Sequence, residues 1–254
     1  MEENMKLDGH THPNLLKRPA QGEEFINKAI SLGFDGIVFT DHMPFTVTGD
    51  EHDRIPFGKV SEYCDKVVEL REKYRGIIDI KTGIEIDYRK SCEDEIREVL
   101  SCGKFDVILG SSHLNIKGFN LPFGTMTRSE FAAEVAENYL AAAESGFFDV
   151  MTHLDVYRWV FSENENYPLI PDEFSTKSIE NILRHLFSVM ERRGIALEYN
   201  AAPLFKKFDN LGAYPCHDIL KIAADYKLKY TYGSDAHAAC HVGFGYEDFL
   251  KFSK

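Results

Sequence analysis

The chain has no long hydrophobic run. Its apolar stretches are strand-length, well short of the roughly 20 residues a membrane-crossing helix needs, so no transmembrane segment is expected. Its start, Met1-Glu2-Glu3-Asn4-Met5-Lys6, lacks the basic opening and apolar centre of a secretory signal. Five cysteines (Cys64, Cys92, Cys102, Cys216, Cys240) include no Cys-x-x-Cys pair, and an odd set does not make a disulfide framework. Small thiols in a reducing cytoplasm are the expectation. Positive charge is also scarce: 29 basic residues face 41 acidic ones, for a net charge of −12. That excludes the basic face of a general nucleic-acid binder but not an anionic small substrate, because bound cations would reverse the local field. No Gly-rich phosphate loop follows a strand, and there is no linker, low-complexity tract or fixed-period repeat.

What remains is a chain of 254 residues with 44% hydrophobic and 28% charged residues, enough for a sizeable core. Apolar runs rich in β-branched residues predict strands near 5–10, 35–41, 77–87, 105–111, 148–153, 195–200 and 229–234. Helical periodicity lies between them, at 23–32, 60–74, 93–100, 129–144, 175–192 and 216–226. Gly146 and Gly194 are plausible helix stops, and Pro215 a helix start. Strand and helix in alternation, without blocks of hairpins, predict a parallel sheet. At this length, closure into a single-domain (β/α) barrel over residues 1–254 is favoured over an open doubly wound sheet. The longer irregular stretches, 43–58, 114–127, 156–174 and 201–214, all follow strands and would share one rim.

The ends of those strands carry the chemistry. His10 and His12 follow the first, Asp41 and His42 the second, and Glu85 lies in Gly83-Ile84-Glu85-Ile86-Asp87. His113 follows Ser111-Ser112, His153 follows Val150-Met151-Thr152, and Asp235 and His237 follow Tyr232-Gly233-Ser234. One histidine at a strand end is usually a satisfied polar residue. Here most of the ten histidines fall at such ends, which in a parallel sheet gather at one edge. Imidazoles and carboxylates so gathered suit a cluster of divalent cations. His10 and His12, two apart in an extended strand, face the same side. Glu85 sits in buried strand sequence, where an unpaired carboxylate would be costly. Asp87 reads as a rim residue or helix cap, and Asp8 as a residue that orients a ligating histidine or closes a turn, the first being preferred.

The set Asp8-Gly9-His10-Thr11-His12, Thr40-Asp41-His42, Gly83-Ile84-Glu85-Ile86-Asp87-Tyr88, Gly110-Ser111-Ser112-His113, Thr152-His153-Leu154-Asp155, Glu198-Tyr199-Asn200 and Gly233-Ser234-Asp235-Ala236-His237 resembles the PHP superfamily (polymerase and histidinol phosphatase). Within it, the chain is most similar to the histidinol-phosphate phosphatases. Each piece alone is weak; the ordered set is specific. The resemblance implies a distorted (β/α)7 barrel holding two or three divalent metals, zinc, manganese or iron. By position, His10, His12, Glu85 and Asp235 would hold the first, Glu85, His113 and His153 the second, and His42 and His237 the third. The family usually adds a third histidine to that last site; by spacing this chain has Arg18, which is always cationic and cannot ligate. Either Arg18 replaces the third metal's charge and binds phosphate, or another group completes the site.

The expected reaction is hydrolysis of a small phosphate monoester, most simply L-histidinol phosphate, in histidine biosynthesis. A hydroxide bridging the metals would be the nucleophile. A different small phosphate (a nucleotide, cyclic phosphate or phosphotyrosine) is the alternative, and a non-catalytic metal-binding protein a more distant one. Arg158 is similar in position to a phosphate-contacting arginine of the family, and Lys206 and Lys207 are weaker candidates. Asp41 or His237 would protonate the leaving alkoxide. Glu163, Glu165, Asp50 and Asp53 could attract a cationic substrate end. No nucleic-acid or membrane partner is expected.

Overall fold

The computed structural model describes residues 5–44, 54–56, 58–113, 123–162, 169–206, 210 and 212–252. Seven strands form one parallel sheet in chain order: β1 (Leu7–Thr11), β2 (Gly36–Phe39), β3 (Asp79–Asp87), β4 (Val107–Ser111), β5 (Val150–Met151), β6 (Ala196–Asn200) and β7 (Tyr230–Gly233). The sheet closes on itself just past the strand ends. Asp235 N donates to His10 O at 2.9 Å, and His12 N donates to Ala236 O at 2.7 Å. The result is the expected distorted (β/α)7 barrel.

The predicted helices are present as α1 (Pro19–Ser31), α2 (Val60–Lys73), α3 (Glu93–Cys102), α4 (Arg128–Ser145), α6 (Glu180–Arg193) and α8 (His217–Ala223). Three short ones were not expected: α5 (Tyr157–Phe161), α7 (Ala202–Lys206) and α9 (Tyr246–Phe252). At 5 to 7 residues they are too short for helical periodicity to register, and packing rather than propensity holds them. α4 starts with a capping box in which Thr127 and Glu130 satisfy each other's backbone N–H, worth about 1 kcal/mol. It stops at Gly146, whose φ of 83° only glycine takes at no steric cost.

The main core lies between the strands and the helices, with Phe25, Ile37, Tyr63, Ile84, Tyr139 and Leu186 all fully buried. Inside the barrel, Leu109, Val150 and Ala196 form a small separate apolar cluster. The lower barrel keeps a cavity of about 420 Å³ lined by Leu7, Val38, Leu109, Val150 and Phe249, with Glu198 also on its wall. Polar groups are concentrated at the opposite end. Because every strand runs the same way, the residues that end the strands meet there.

Candidate metal centre

Glu85, fully buried on β3, is the hub. His42 Nδ1 lies 2.8 Å from its carboxylate, His153 Nε2 3.0 Å, His12 Nε2 3.3 Å and His10 Nε2 3.4 Å. His113 Nδ1 is farther, at 4.0 Å. Asp235 approaches His12 at 3.4 Å, His237 at 3.5 Å and His10 at 3.9 Å. All eight residues expected to face metals therefore share one mouth. A register shift in β1 between Asp8 and Thr11 marks the backbone irregularity from which His10 enters the barrel.

The imidazoles are aimed by specific partners. Glu198 Oε1 holds His10 Nδ1 at 2.7 Å, while its Oε2 accepts from His153 N at 3.1 Å. The Tyr139 hydroxyl lies 3.3 Å from His153 Nδ1, and His237 Nδ1 lies 3.0 Å from the Asp235 carbonyl. Asp87, expected at the rim or on a helix end, is instead buried and lies 2.8 Å from His113 Nδ1. It lies in the last position of a strand that is buried from Thr82 onward, which the alternation of the sequence does not distinguish from an exposed rim. Asp8 also departs from expectation. Its carboxylate accepts from the backbone of Ser234 and Gly243, so it secures the turn after β7 rather than a histidine. Burial pushes its pKa up to about 6 against the pull of those N–H groups.

The backbone is specialised at the same places. His153 and Asp235 adopt positive φ angles of 26° and 52°. Non-glycine residues rarely do so, and such strain gathers at functional sites. Gly233 has no alternative: a Cβ there would stand 2.0 Å from Glu198 Oε1 and 2.6 Å from the His10 Cβ.

Charge separates the histidines into two kinds. Burial would depress His10, but Glu198, Glu85 and Asp235 outweigh it and hold its pKa well above the ordinary value. His12 is raised against burial by Asp235 and Glu85, and His113 by Asp87. His42 goes the other way, depressed by burial to about 4, and His237 is depressed by burial and by His12 to about 3. Glu85, though buried, is held well below the usual carboxylate range by His42 and His10. Asp235, also buried, is held there by Lys206, His10 and His12.

These donors fit divalent cations. His10 Nε2 and His12 Nε2 face each other at 2.9 Å, a pairing that needs a proton or a cation between two lone pairs. His12 Nδ1 is buried without a hydrogen-bond partner among the described residues, and His42 Nδ1 is buried against the Glu85 carboxylate without hydrogen-bond alignment. Three sets of donor atoms lie within 4.8 Å of one another: His10, His12 and Asp235; His10, Glu85 and His153; His12, His42 and His237. Two sets differ from expectation: the second has His10 where His113 was expected, and the third adds His12 to the rim pair. His12 stacks between them, with ring centroids 4.3 Å from His42 and 4.4 Å from His237.

The remaining candidates fall in different places. Asp41 accepts from the backbone N–H groups of Asn14 and Leu15, both at 2.8 Å, and so anchors the loop that leads to α1. Arg18 is exposed where that loop enters α1, and Gln21 on the same helix donates to His237 O at 2.9 Å. Arg158 is buried; its Nε lies 2.9 Å from Asp155, and it donates to Ala213 O at 2.8 Å. It also lies 4.6 Å from the ring of Tyr214, which neighbours His153 at 6.3 Å. Lys206, at the end of α7, is exposed and close enough to hold Asp235 ionised. Lys207, Glu163, Glu165, Asp50 and Asp53 lie outside the described residues. Sequence reasoning missed Tyr139 and Arg54, and gave Glu198 no role in aiming His10. Glu198 carried a signal, as a charged residue inside a buried strand; Tyr139 sits on an ordinary helix face.

Residues 8–202 match the PHP domain. The chain belongs to the PHP domain family. Asp235 and His237 lie beyond the matched stretch, yet barrel closure brings them to it. The chain is 30% identical over 260 residues to the "Probable histidinol-phosphatase" of Deinococcus radiodurans, covering 96% of this chain and 91% of that one. It is 26% identical to the histidinol-phosphatase of Bacillus subtilis, covering 97% and 98%. Among solved structures, histidinol phosphate phosphatase from Lactococcus lactis, complexed with zinc, L-histidinol and phosphate, superimposes with a TM-score of 0.74. That chain is 21% identical, with 97% of this chain and 93% of that one covered, and it supports the fold.

Proposed function

We infer that this PHP protein is a metal-dependent phosphoric monoester hydrolase that converts L-histidinol phosphate to L-histidinol and phosphate. The observation that carries the reading is the convergence of six histidines, Glu85 and Asp235 at one barrel mouth. It is supported by the full-length similarity to histidinol-phosphatases. His10, His12 and Asp235 would hold one cation, with Glu85 shared by a second cation facing His153 and His113. His42 and His237, with His12 beside them, would complete a third site. Bound divalent cations there would activate a water nucleophile and offset charge on the phosphoryl oxygens.

The protein's own residues do the rest. Glu198 holds His10 so that its Nε2 faces His12 and Glu85, and Asp87 holds the His113 ring beside Glu85 and His153. Arg18 and Lys206, on the rim near His237, attract the substrate's phosphate, and Arg158 lies behind Tyr214 on the His153 side. Asp41 receives a different part from general acid: with each oxygen accepting a backbone N–H, it keeps the Arg18 loop seated. His237, held neutral near pH 7 by its depressed pKa, suits ligation better than proton donation. The leaving alkoxide therefore takes its proton from water entering at the half-exposed His237 rim.

The test is a panel of small phosphate esters, assayed for phosphate release with zinc, manganese or iron restored to metal-free protein. L-Histidinol phosphate is expected to give the highest kcat/KM. A nucleotide, cyclic phosphate or phosphotyrosine turned over faster would move the substrate elsewhere in the family. No release from any ester, with metals verified as bound, would sink the enzymatic reading.

A further inference from the structure

We propose that Arg54 is a positioning residue for this centre: through Asp87 it fixes the ring of His113, and through the β2 exit it ties that ring to His42. The proposal rests on the metal-centre reading above.

Arg54 is a cation buried at 9% exposure within the polar mouth, but it cannot ligate. Its Nη2 donates to Asp87 Oδ2 at 3.0 Å, and its Nη1 donates to the Met43 carbonyl at 2.9 Å. Its backbone pairs with that of His42, and Ile55 N donates to His42 O at 3.0 Å. Asp87 divides its two oxygens. Oδ2 takes Arg54, while Oδ1 takes His113 N and Nδ1, both at 2.8 Å, and the Ser111 hydroxyl at 3.2 Å.

The consequence is chemical. A guanidinium keeps its proton at any working pH, so Asp87 stays an acceptor on both oxygens. In its neutral form His113 must then donate from Nδ1, which leaves the lone pair on Nε2. Without Arg54, Asp87 would be a buried carboxylate with one oxygen lacking its ionic partner, free to rotate away from His113. The same guanidinium spans the exits of β2 and β3, so it also sets the spacing between the rim pair and the His113 side of the cluster. The eight ligand candidates are readable from strand ends; Arg54 is not, because it follows a long irregular stretch.

The experiment compares wild type with Arg54→Met, Arg54→Lys and Asp87→Asn. Metal-free protein is titrated with zinc, and bound equivalents are counted by elemental analysis after a chelator competition. Arg54→Met is expected to keep its tightest equivalent and to hold one other about tenfold or more weakly. Excess zinc should recover much of kcat. In metal-free protein, at a pH high enough for His113 to be neutral, long-range nitrogen–proton NMR should show it as the Nδ1–H tautomer in wild type and as a mixture in Arg54→Met. Arg54→Met and Asp87→Asn combined should cost little more than Asp87→Asn alone. Unchanged zinc affinities together with an unchanged tautomer in Arg54→Met would overturn the proposal, whatever happens to thermal stability. If Arg54→Met does not fold, Arg54→Lys with Asp87→Asn carries the same readouts. Wild type that takes up no zinc would refute the metal reading itself, while the tautomer comparison would still judge Arg54.

Discussion

The inner and outer histidines of the mouth are the same side chain put to opposite uses. His10, fully buried, and His113, part-buried at 23% side-chain exposure, each have a carboxylate on Nδ1, and both are raised in pKa against the effect of burial. His42 and His237 stand at the rim, stacked on His12, and burial depresses both. Without metal, the carboxylates around His10 and His113 favour the charged form of each ring. His42 and His237 are drawn toward the neutral form, ready to ligate, with a single carboxylate near each, Glu85 at 2.8 Å and Asp235 at 3.5 Å. The lesson is that ligand identity alone does not grade a site; the partner on the far nitrogen does. The inner part should bind metal tightly and with proton release, and the rim weakly.

The strongest way to break this contrast is to remove the residue both regions share. Glu85→Gln is expected to lower kcat/KM by on the order of 10³-fold or more, equivalent to about 4 kcal/mol or above, and to reduce bound metal. Near-normal metal content with near-normal turnover would show that Glu85 is not the hub. Next, His10→Gln should cost about tenfold more activity than His237→Gln under limiting metal, because only His10 sits among three carboxylates. Equal losses would erase the distinction between inner and outer rings.

Acid stability tests the same contrast without metal. His42 titrates near pH 4 in the folded chain but near its ordinary value once unfolded. Between about pH 6.5 and 4 the unfolded chain takes up a proton that the folded one refuses, so this group's share of stability falls as pH falls. The size is about 3 kcal/mol. His10, His12 and His113, raised when folded, act oppositely: their share is present below pH 6.5 and is lost as pH rises through their folded values. Metal-free His42→Gln should therefore lose less Tm than wild type between pH 7 and pH 5; an equal or larger loss would contradict the assignment. The smallest effects are expected at the approach to the site. Arg18→Gln should raise KM by a few-fold with kcat nearly unchanged, as a rim charge does. A fall in kcat alone would instead place Arg18 at the reacting phosphoryl group.

Much of this was legible in the chain because parallel strands force a single geometry. Seven apolar runs with helices between them leave few topologies, and their ends must share a mouth. That is why His10, Glu85, His153 and Asp235 could be grouped although they are far apart in sequence. What stayed hidden depends on side chains that cross between elements. Asp87 bonding His113, Asp8 turning to Ser234 and Gly243, and Arg54 reaching Asp87 have no local period, so nothing in their neighbourhood announces them. Asp41 also has a contact that its neighbourhood does not announce: its carboxylate accepts from the backbone N–H groups of Asn14 and Leu15.

The closure of the barrel has one more consequence. The bonds that join its first and last strands are made by the backbone of His10 and His12 with Asp235 and Ala236. The centre thus draws on residues 10 and 237 of a chain of 254. On the ribosome, no earlier length of chain can assemble it. Ions bound there would act as a clasp between two segments far apart in the sequence. Amide hydrogen exchange at His12 and Asp235 should slow together when metal is added.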